Sequence, residues 1–212
     1  MSPHPSFSKA KKEFEKAWQD PNHTPIELEA VDVNALLQTH YSINVSFRLT
    51  KSLMWDAEVK KAWDPKTYIP GVVREGNSWS RKTLKDGEEC FLRASQQRAW
   101  LKDTYGPVVE EVYLSPHERK IIFLGRSESP TGDGPTLEAG GHQPLFHVEH
   151  AVGGTHERPL NLWRIVHLTT ERDGALIKRQ LTQMGNAEWL REFVTIFVEK
   201  DLGIQLVSGG SE

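Results

Sequence analysis

A run of strand-like segments closed by an amphipathic helix most constrains what this chain can fold into. Six segments are rich in apolar and β-branched residues, at 71–84, 88–101, 106–114, 119–128, 145–153 and 160–171. "KDGE" at 85–88 and "SPHE" at 115–118 lie between segments and favour chain reversal, since Asp-Gly and Ser-Pro both promote turns. The pattern predicts an α+β fold in which helices are segregated from an antiparallel sheet.

The region before this run predicts a strand followed by a helix. In "SINVSFRLT", residues 42–50, apolar side chains at 43, 45, 47 and 49 alternate with polar ones, which is typical of a half-buried strand. Ser52 is predicted to cap a helix over 53–63. The apolar face of that helix is predicted to contain Trp55, Val59, Ala62 and Trp63.

The C-terminal region predicts a hairpin and a last helix. "RDGA" at 172–175 indicates a turn that leads into a further strand over 176–183. Asn186 is predicted to cap a helix over 187–203, and Gly203 to end it. The apolar stripe of this helix consists of Leu190, Phe193, Val194, Phe197 and Val198.

The remaining segments predict the domain organisation. Residues 1–40 are interpreted as a helical N-terminal extension, 41–207 as the main domain and 208–212 as a flexible tail. Ser8 is predicted to cap a first helix, and Asp32 to precede a second. Residues 127–144 are rich in Gly and Pro, which predicts a long mobile loop of the kind that often forms a lid.

Composition excludes several classes of function. The net charge of −3 and the pI of about 6.3 do not favour a nucleic-acid partner. No apolar run approaches the ~20 residues that span a bilayer, and the N-terminus lacks the apolar core of a secretory signal. A single cysteine, Cys90, excludes an internal disulfide and a cysteine-based metal cluster. We therefore expect a cytoplasmic protein; the oligomeric state is not indicated.

"VSFRLTKSLMWDAEVKKAWDPKTYIPGVVREGNSWS", residues 45–80, resembles the start of the START/Bet v 1-like superfamily, also called SRPBCC or helix-grip. Such domains begin with a strand, a helix carrying a Trp, a Pro-bearing turn and a strand with G-x-x-W. "HAVGG" at 150–154 and the closing helix extend the resemblance over residues 41–203. It implies a curved antiparallel sheet wrapped around the C-terminal helix, with a cavity for a hydrophobic or aromatic small molecule.

The stretch 142–157, "HQPLFHVEHAVGGTHE", contains four of the nine histidines. If 145–152 is a strand, His150 shares a face with Phe146, Val148 and Val152, while His147 and Glu149 share the opposite face. The first face is the more apolar, so we expect His150 to point into the cavity and His147 and Glu149 to face the wetter side. A metal site that uses these histidines is a weaker alternative, since it needs ~3–4 convergent ligands; no metal and no cofactor are predicted.

The resemblance and the strand faces together suggest the site residues. The candidate catalytic residues are His150, His167, Tyr113 and Arg164, because a buried His can titrate near neutral pH and an Arg or Tyr can stabilise an oxyanion. The candidate substrate-binding residues are Trp55, Trp79, Phe91, Phe146, Trp163, Phe193 and Phe197.

Three functional hypotheses remain open. The first is a cofactor-independent cyclase, dehydratase or isomerase that acts on a hydrophobic substrate, as in secondary metabolism. The second is a carrier or sensor that binds a lipid-like ligand without turnover. The third is a metal-dependent enzyme. Two or more titratable groups converging in the cavity would favour catalysis, and a wholly apolar lining would favour carriage.

Overall fold

The computed structural model describes residues 5–42, 47–129, 136–169, 172–184 and 187–208. The helices are α1 Phe7–Gln19, α2 Val33–His40, α3 Lys51–Trp63, α4 Pro65–Tyr68, α5 Arg172–Met184 and α6 Ala187–Asp201. The strands are β1 Thr24–Glu27, β2 Val31–Asp32, β3 Tyr41–Ser42, β4 Val73–Thr83, β5 Glu89–Arg98, β6 Tyr105–Ser115, β7 Lys120–Arg126, β8 Phe146–Gly154, β9 Pro159–His167 and β10 Val207–Ser208.

Within the described residues, the main sheet is antiparallel and contains eight strands. Its order is β1-β9-β8-β7-β6-β5-β4, and β2 also pairs with β9. Each of β4 to β8 pairs with the strand that follows it in the chain, as expected for a run of antiparallel strands. The sheet is curved and does not close, since β1 and β4 lie at opposite ends. A separate pair joins β3 to β10.

Helices α3, α5 and α6 pack on one face of this sheet, which we call the inner face. Ile177 and Leu181 of α5 join a buried cluster with inner-face residues such as Phe123 and Phe146. The apolar stripe of α6 is buried in a second cluster with α2, α3 and Val152 of β8. The structure is therefore α+β, with a curved antiparallel sheet packed against a C-terminal helix, as predicted from the sequence. Among the described residues, none of the helices is long and apolar enough to cross a membrane.

Helix α1 covers the opposite, outer face of the sheet. Phe7, Ala10, Phe14 and Ala17 are buried against Ile122, Leu124 and Val166 of β7 and β9. Between these apolar positions, Glu13 pairs with Arg126 and Glu15 with Arg164. The helix begins after Ser6, whose hydroxyl accepts a hydrogen bond from the Lys9 amide, and not after the predicted Ser8.

The edge of the sheet differs from the prediction. Residues 43–46 of the predicted first strand lie outside the described residues, and residues 47–50 form no strand. The edge of β9 that does not face β8 is instead paired with Thr24–Glu27 and Val31–Asp32. An unpaired strand edge leaves backbone groups unsatisfied, so pairing within the chain is favoured. The segment 1–40 is therefore not purely helical, because it contributes two strands to the main sheet.

Helix ends also differ in detail. Helix α2 follows Asp32, as predicted, and Asp32 caps it, since its carboxylate accepts from two backbone amides. The cap of α3 is Thr50 and not Ser52. Gly203 follows the end of α6 with a positive φ of 67°, consistent with its predicted role as a stop. The predicted cap of α6, Asn186, and the tail residues 209–212 lie outside the described residues.

The prediction of a hairpin turn and a strand over 172–183 is wrong, because this segment forms helix α5. Ile177 and Leu181 are four residues apart, so they share one helical face, and both are buried. Leu176 is 44% exposed, because it does not share the helical face of Ile177 and Leu181. The strand prediction did not separate Leu176 from these buried residues. Burial of the Ile177/Leu181 face against the sheet overrides the turn signal of "RDGA".

We expect Phe14→Ala to lower the free energy of unfolding by about 3–5 kcal/mol, because it leaves a cavity between α1 and the sheet. Chemical denaturation would measure the change. Lys12→Ala, on the exposed side of α1, is the matched control and should have little effect. A loss below about 1 kcal/mol for Phe14→Ala would show that α1 does not pack on the outer face.

Candidate functional site

A cavity of about 80 Å³ lies between the inner face of the sheet and the helices. Its aromatic walls come from Trp100, Phe123, Phe146, Trp163 and Trp189. Four charged side chains, one imidazole and one amide also line it, namely Lys61, Arg93, Glu110, Glu192, His150 and Gln97. The cavity is thus an aromatic chamber with ionisable groups in its walls.

The alternation of β8 places His150 in this cavity, as predicted. His150 lies in the wall with Phe146 and Val148. His147 and Glu149 are on the outer face, but the expectation that they face water is wrong, since they are only 3% and 4% exposed. Helix α1 covers them: its Glu13 lies 3.9 Å from His147, and its Glu15 shares Arg164 with Glu149.

Glu58 of α3 holds His150 in position. The Nδ1 atom of His150 lies 3.1 Å from Oε2 of Glu58, and the Asn161 side-chain amide donates to Oε1 at 2.8 Å. The imidazole also stacks on the Trp163 indole, with ring centroids 4.5 Å apart and planes 7° apart. The ring is therefore fixed in orientation by a carboxylate at one edge and an indole on one face.

Lys61 completes this polar cluster. Its Nζ lies 2.7 Å from Oε2 of Glu58, the same oxygen that contacts His150. It also lies over the rings of Phe193 and Trp163, at 4.3 and 5.0 Å from their centroids. Helix α3 brings Glu58 and Lys61 together because residues three apart share a helical face.

Burial and these contacts set the protonation states. Burial raises the pKa of Glu58, but the neighbouring Lys61 ammonium and His150 outweigh that effect and hold the pKa at about 2. Burial, together with the charge of Lys61, lowers the pKa of His150 to about 4. Burial also lowers the pKa of Lys61, and Glu58 opposes this decrease. At neutral pH, Glu58 is therefore a carboxylate and His150 a neutral imidazole.

A second buried ion pair lies on β5 and β6. Arg93 donates from Nε and Nη2 to Oε2 of Glu110, at 2.8 and 2.6 Å, and from Nη1 to the Ala62 carbonyl at the end of α3. The guanidinium also lies over the Phe123 ring, 4.6 Å from its centroid. Arg93 therefore links the sheet to α3 beside the Glu58 cluster.

His167 is fully buried on the inner face of β9, as its alternation with Trp163 predicts. Its ring packs against Trp100 and Phe146. Neither ring nitrogen has a hydrogen-bond partner within the described part of the chain. Burial lowers its pKa to about 4. His167 is close to the aromatic wall but not next to Glu58 and Lys61.

Two of the predicted catalytic residues are not in the cavity. Tyr113 packs with α1 on the outer face of β6, because the register places Val112 and Leu114 on the inner face. Arg164 is also on the outer face, where it pairs with Glu15 and Glu149 and lies over Phe14 and Trp18. The prediction that they act in the cavity is therefore wrong; they hold α1 to the sheet.

The predicted substrate-binding residues separate into three groups. Phe146 and Trp163 line the cavity. Phe91, Phe193 and Phe197 are buried in the surrounding core, and Trp55 is partly buried against it. Trp79 on β4 is half-buried and belongs neither to the cavity wall nor to the described core clusters. Any role of these residues toward a ligand stays a prediction.

The other two histidines of the stretch 142–157 do not lie with His147 or His150. His142 lines a separate cleft of about 480 Å³, and His156 is exposed. Within the described ranges, no three His, Cys, Asp or Glu side chains are grouped to hold a metal ion.

The described parts of the 127–144 loop pair Glu128 with Glu138 and place His142 to Pro144 in the 480 Å³ cleft. This cleft shares Trp100 with the cavity.

Sequence reasoning missed Glu58, Lys61 and the Arg93–Glu110 pair. The buried face of α3 consists of Met54, Ala57, Glu58, Lys61 and Ala62, and of the predicted face Trp55, Val59, Ala62 and Trp63 it includes only Ala62. The missed signal was an opposite-charge pair, three residues apart, within a stripe of small and apolar residues. Such a pair is usually solvated, so its burial became evident only when α3 was placed against the sheet.

Comparison with known proteins finds similar solved structures at low sequence identity. No family model matches the chain, and no curated protein does. The structure is similar to the Zhui aromatase/cyclase of Streptomyces sp. R1128, with 15% identity, 85% of this chain and 87% of that one covered, and a TM-score of 0.44. It is also similar to Ara h 8.0201, with 8% identity, 84% of this chain and 99% of that one covered, and a TM-score of 0.46. A START superfamily protein of Mycobacterium smegmatis is similar with 12% identity, 81% of this chain and 92% of that one covered, and a TM-score of 0.39.

We expect the protein to lose stability steeply as the pH falls from about 6.5 to 4. The buried histidines 147, 150 and 167 have folded pKa values of about 4, whereas a histidine in the unfolded chain has about 6.5. The unfolded chain therefore binds more protons in this window, and each histidine removes about 1.4 kcal/mol of unfolding free energy per pH unit.

Chemical denaturation at a series of pH values would measure this slope. His167→Phe removes one of the three titrating groups, so its slope should be smaller by about 1.4 kcal/mol per pH unit. His156→Gln, at an exposed position, is the control and should leave the slope unchanged. Equal slopes for wild type and His167→Phe would refute the assignment.

Proposed function

We propose that the cavity binds a small aromatic or hydrophobic molecule and that His150 acts on it as a general base. The reaction class that fits is a cofactor-independent cyclisation, dehydration or isomerisation. The observation that carries the proposal is the buried Glu58–His150 pair inside an aromatic chamber.

The hydrogen bond to Glu58 determines which nitrogen of His150 is basic. A carboxylate can only accept, so Nδ1 carries the hydrogen and Nε2 carries a free lone pair. The ring is neutral at pH 7 and held by Glu58 and Trp163, which is the arrangement of an oriented base. When His150 takes a proton, the Glu58 carboxylate stabilises the imidazolium.

The same walls offer groups that can stabilise a developing oxyanion. Lys61 is a cation in the wall, and Arg93 of β5 also lines the cavity. The indole N–H groups of Trp100 and Trp163 have no hydrogen-bond partner within the described residues, so a ligand oxygen could accept from them. Proton abstraction beside a carbonyl is thus supported by both a base and donors.

A carrier without turnover is the second candidate, because aromatic walls suit any apolar ligand. Several ionisable groups converge in this cavity, however, and burying each of them costs free energy that a simple apolar container would avoid. This convergence favours catalysis over carriage.

The entrance is proposed to lie between Trp100 and Trp189. A cleft of about 300 Å³ shares Val72, Trp100, Trp189 and Glu192 with the cavity. The two indole rings, 5.6 Å apart, stand between the two spaces. Typical ligand sites measure ~300–1,000 Å³, so a drug-sized ligand needs the cavity and the cleft to merge by movement of these rings.

We expect His150→Asn to abolish base catalysis while the fold is kept. Asparagine can still donate to Glu58 but has no basic nitrogen. The probe is 5-nitrobenzisoxazole, a small aromatic compound that opens when a base removes its proton. The wild-type rate should rise as the pH passes about 4, where His150 loses its proton, and then level off. The variant should be slower by roughly a hundredfold or more.

His147→Asn is the matched control, since His147 lies on the same strand but on the outer face. Its asparagine oxygen can accept the Gly125 amide, as the histidine Nδ1 does. Equal rates for the two variants would refute His150 as the base. If the probe binds, as measured by tryptophan quenching, but wild type shows no turnover, the carrier function is favoured.

Trp189→Ala should open the entrance. We expect it to bind 1-anilinonaphthalene-8-sulfonate several times faster than wild type in stopped-flow fluorescence, because one of the two rings between cleft and cavity is removed. Trp79→Ala removes an indole away from the cavity and should leave the association rate unchanged. If both variants associate at the wild-type rate, the entrance lies elsewhere.

A further inference from the structure

Lys61 is buried, whereas the adjacent Lys60 is partly exposed. Lys61 is 2% exposed, and its Nζ lies against the rings of Phe193 and Trp163 in the cavity wall. Lys60 is partly exposed and pairs with Asp56 and Asp201 outside the cavity. The chain thus offers a buried amine and a matched surface amine at adjacent positions.

A lysine in an apolar pocket can become a nucleophile, because burial disfavours the ammonium and releases the amine. Glu58 does not depend on Lys61 alone for its hydrogen bonds, since His150 and Asn161 also contact it. The proton that leaves Lys61 can be taken up by Nε2 of His150, because Nδ1 already donates its hydrogen to Glu58. The cluster therefore contains a nucleophile, a proton acceptor and a fixed carboxylate.

We propose that Lys61 captures a carbonyl ligand as an imine, so that the substrates are small aromatic or apolar aldehydes and ketones. This inference rests on the proposed function in that it uses the same cavity and His150 as the proton carrier. It goes further by naming a covalent step and a class of substrate.

The step balances without an oxidant or a reductant. The Lys61 ammonium gives one proton to His150, and the amine forms a C–N bond with the carbonyl carbon. The C–O bond then breaks, and the oxygen leaves as water with two protons, one returned by His150 and one lost from the nitrogen. The nitrogen keeps one hydrogen and the positive charge of the iminium.

The site suits both the entering carbonyl and the iminium product. The unpartnered N–H of Trp163, whose ring lies 5.0 Å from Nζ, is available to the carbonyl oxygen. The iminium retains the charge of the ammonium, so Glu58 and the faces of Phe193 and Trp163 continue to stabilise it. Glu58 is therefore the partner of the ammonium before the step and of the iminium after it.

Reductive trapping tests this proposal on the full chain. Wild-type protein is incubated with benzaldehyde and sodium cyanoborohydride, which converts an imine into a stable benzyl amine, and peptide mass spectrometry locates the benzyl group. We expect Lys61 to be modified faster than Lys60 by about tenfold or more. Lys61→Arg keeps the cation but cannot be trapped, and should lose this modification; Lys60→Arg should retain it.

Tryptophan fluorescence with benzaldehyde alone separates the possible failures. If benzaldehyde quenches the cavity indoles but modifies only surface lysines, the imine proposal is overturned and ligand binding stands. If benzaldehyde neither quenches nor modifies Lys61, both the imine and the binding of small aromatic molecules are overturned. Because the readout is taken on wild-type protein, instability of Lys61→Arg does not weaken the result.

Discussion

Burial of the Glu58 carboxylate is the constraint on which the rest of the site depends. A charge that is 1% exposed is costly unless it is paired and hydrogen-bonded. Here it contacts Lys61 on its own helix, His150 on β8 and Asn161 on β9. These contacts tie α3 to the centre of the sheet, so the position of the helix and the orientation of the cavity groups are set together.

The same carboxylate connects stability to chemistry. It holds the hydrogen of His150 on Nδ1 and leaves Nε2 basic, and it keeps a lysine charge beside an aromatic wall. On the other face of the sheet, α1 buries His147 and Glu149 and ties its own carboxylates to Arg126 and Arg164. The strand β8 therefore carries two polar networks, one for the cavity and one for the docking of α1.

Local periodicity predicted side-chain direction correctly where that direction depends on a single element. The facing of His150 followed from strand alternation, and the stripe of α6 from helical spacing. Tyr113 and Arg164 were chosen for the chemistry of their side chains and not from periodicity, and the structure places both on the outer face. The helix α5 was missed because a turn signal was weighed without the burial of Ile177 and Leu181.

By itself, the sequence determined the antiparallel order of β4 to β9, the closing helix and the inward direction of His150, since each follows from turn chemistry or from the period of a single element. Tertiary structure alone decided that β1 and β2 complete the sheet, that α1 shields the outer face, and that Glu58 and Lys61 are buried. Those outcomes depend on which distant surfaces meet. A charged pair on a helix is solvated or buried according to its neighbours, and no local pattern specifies them.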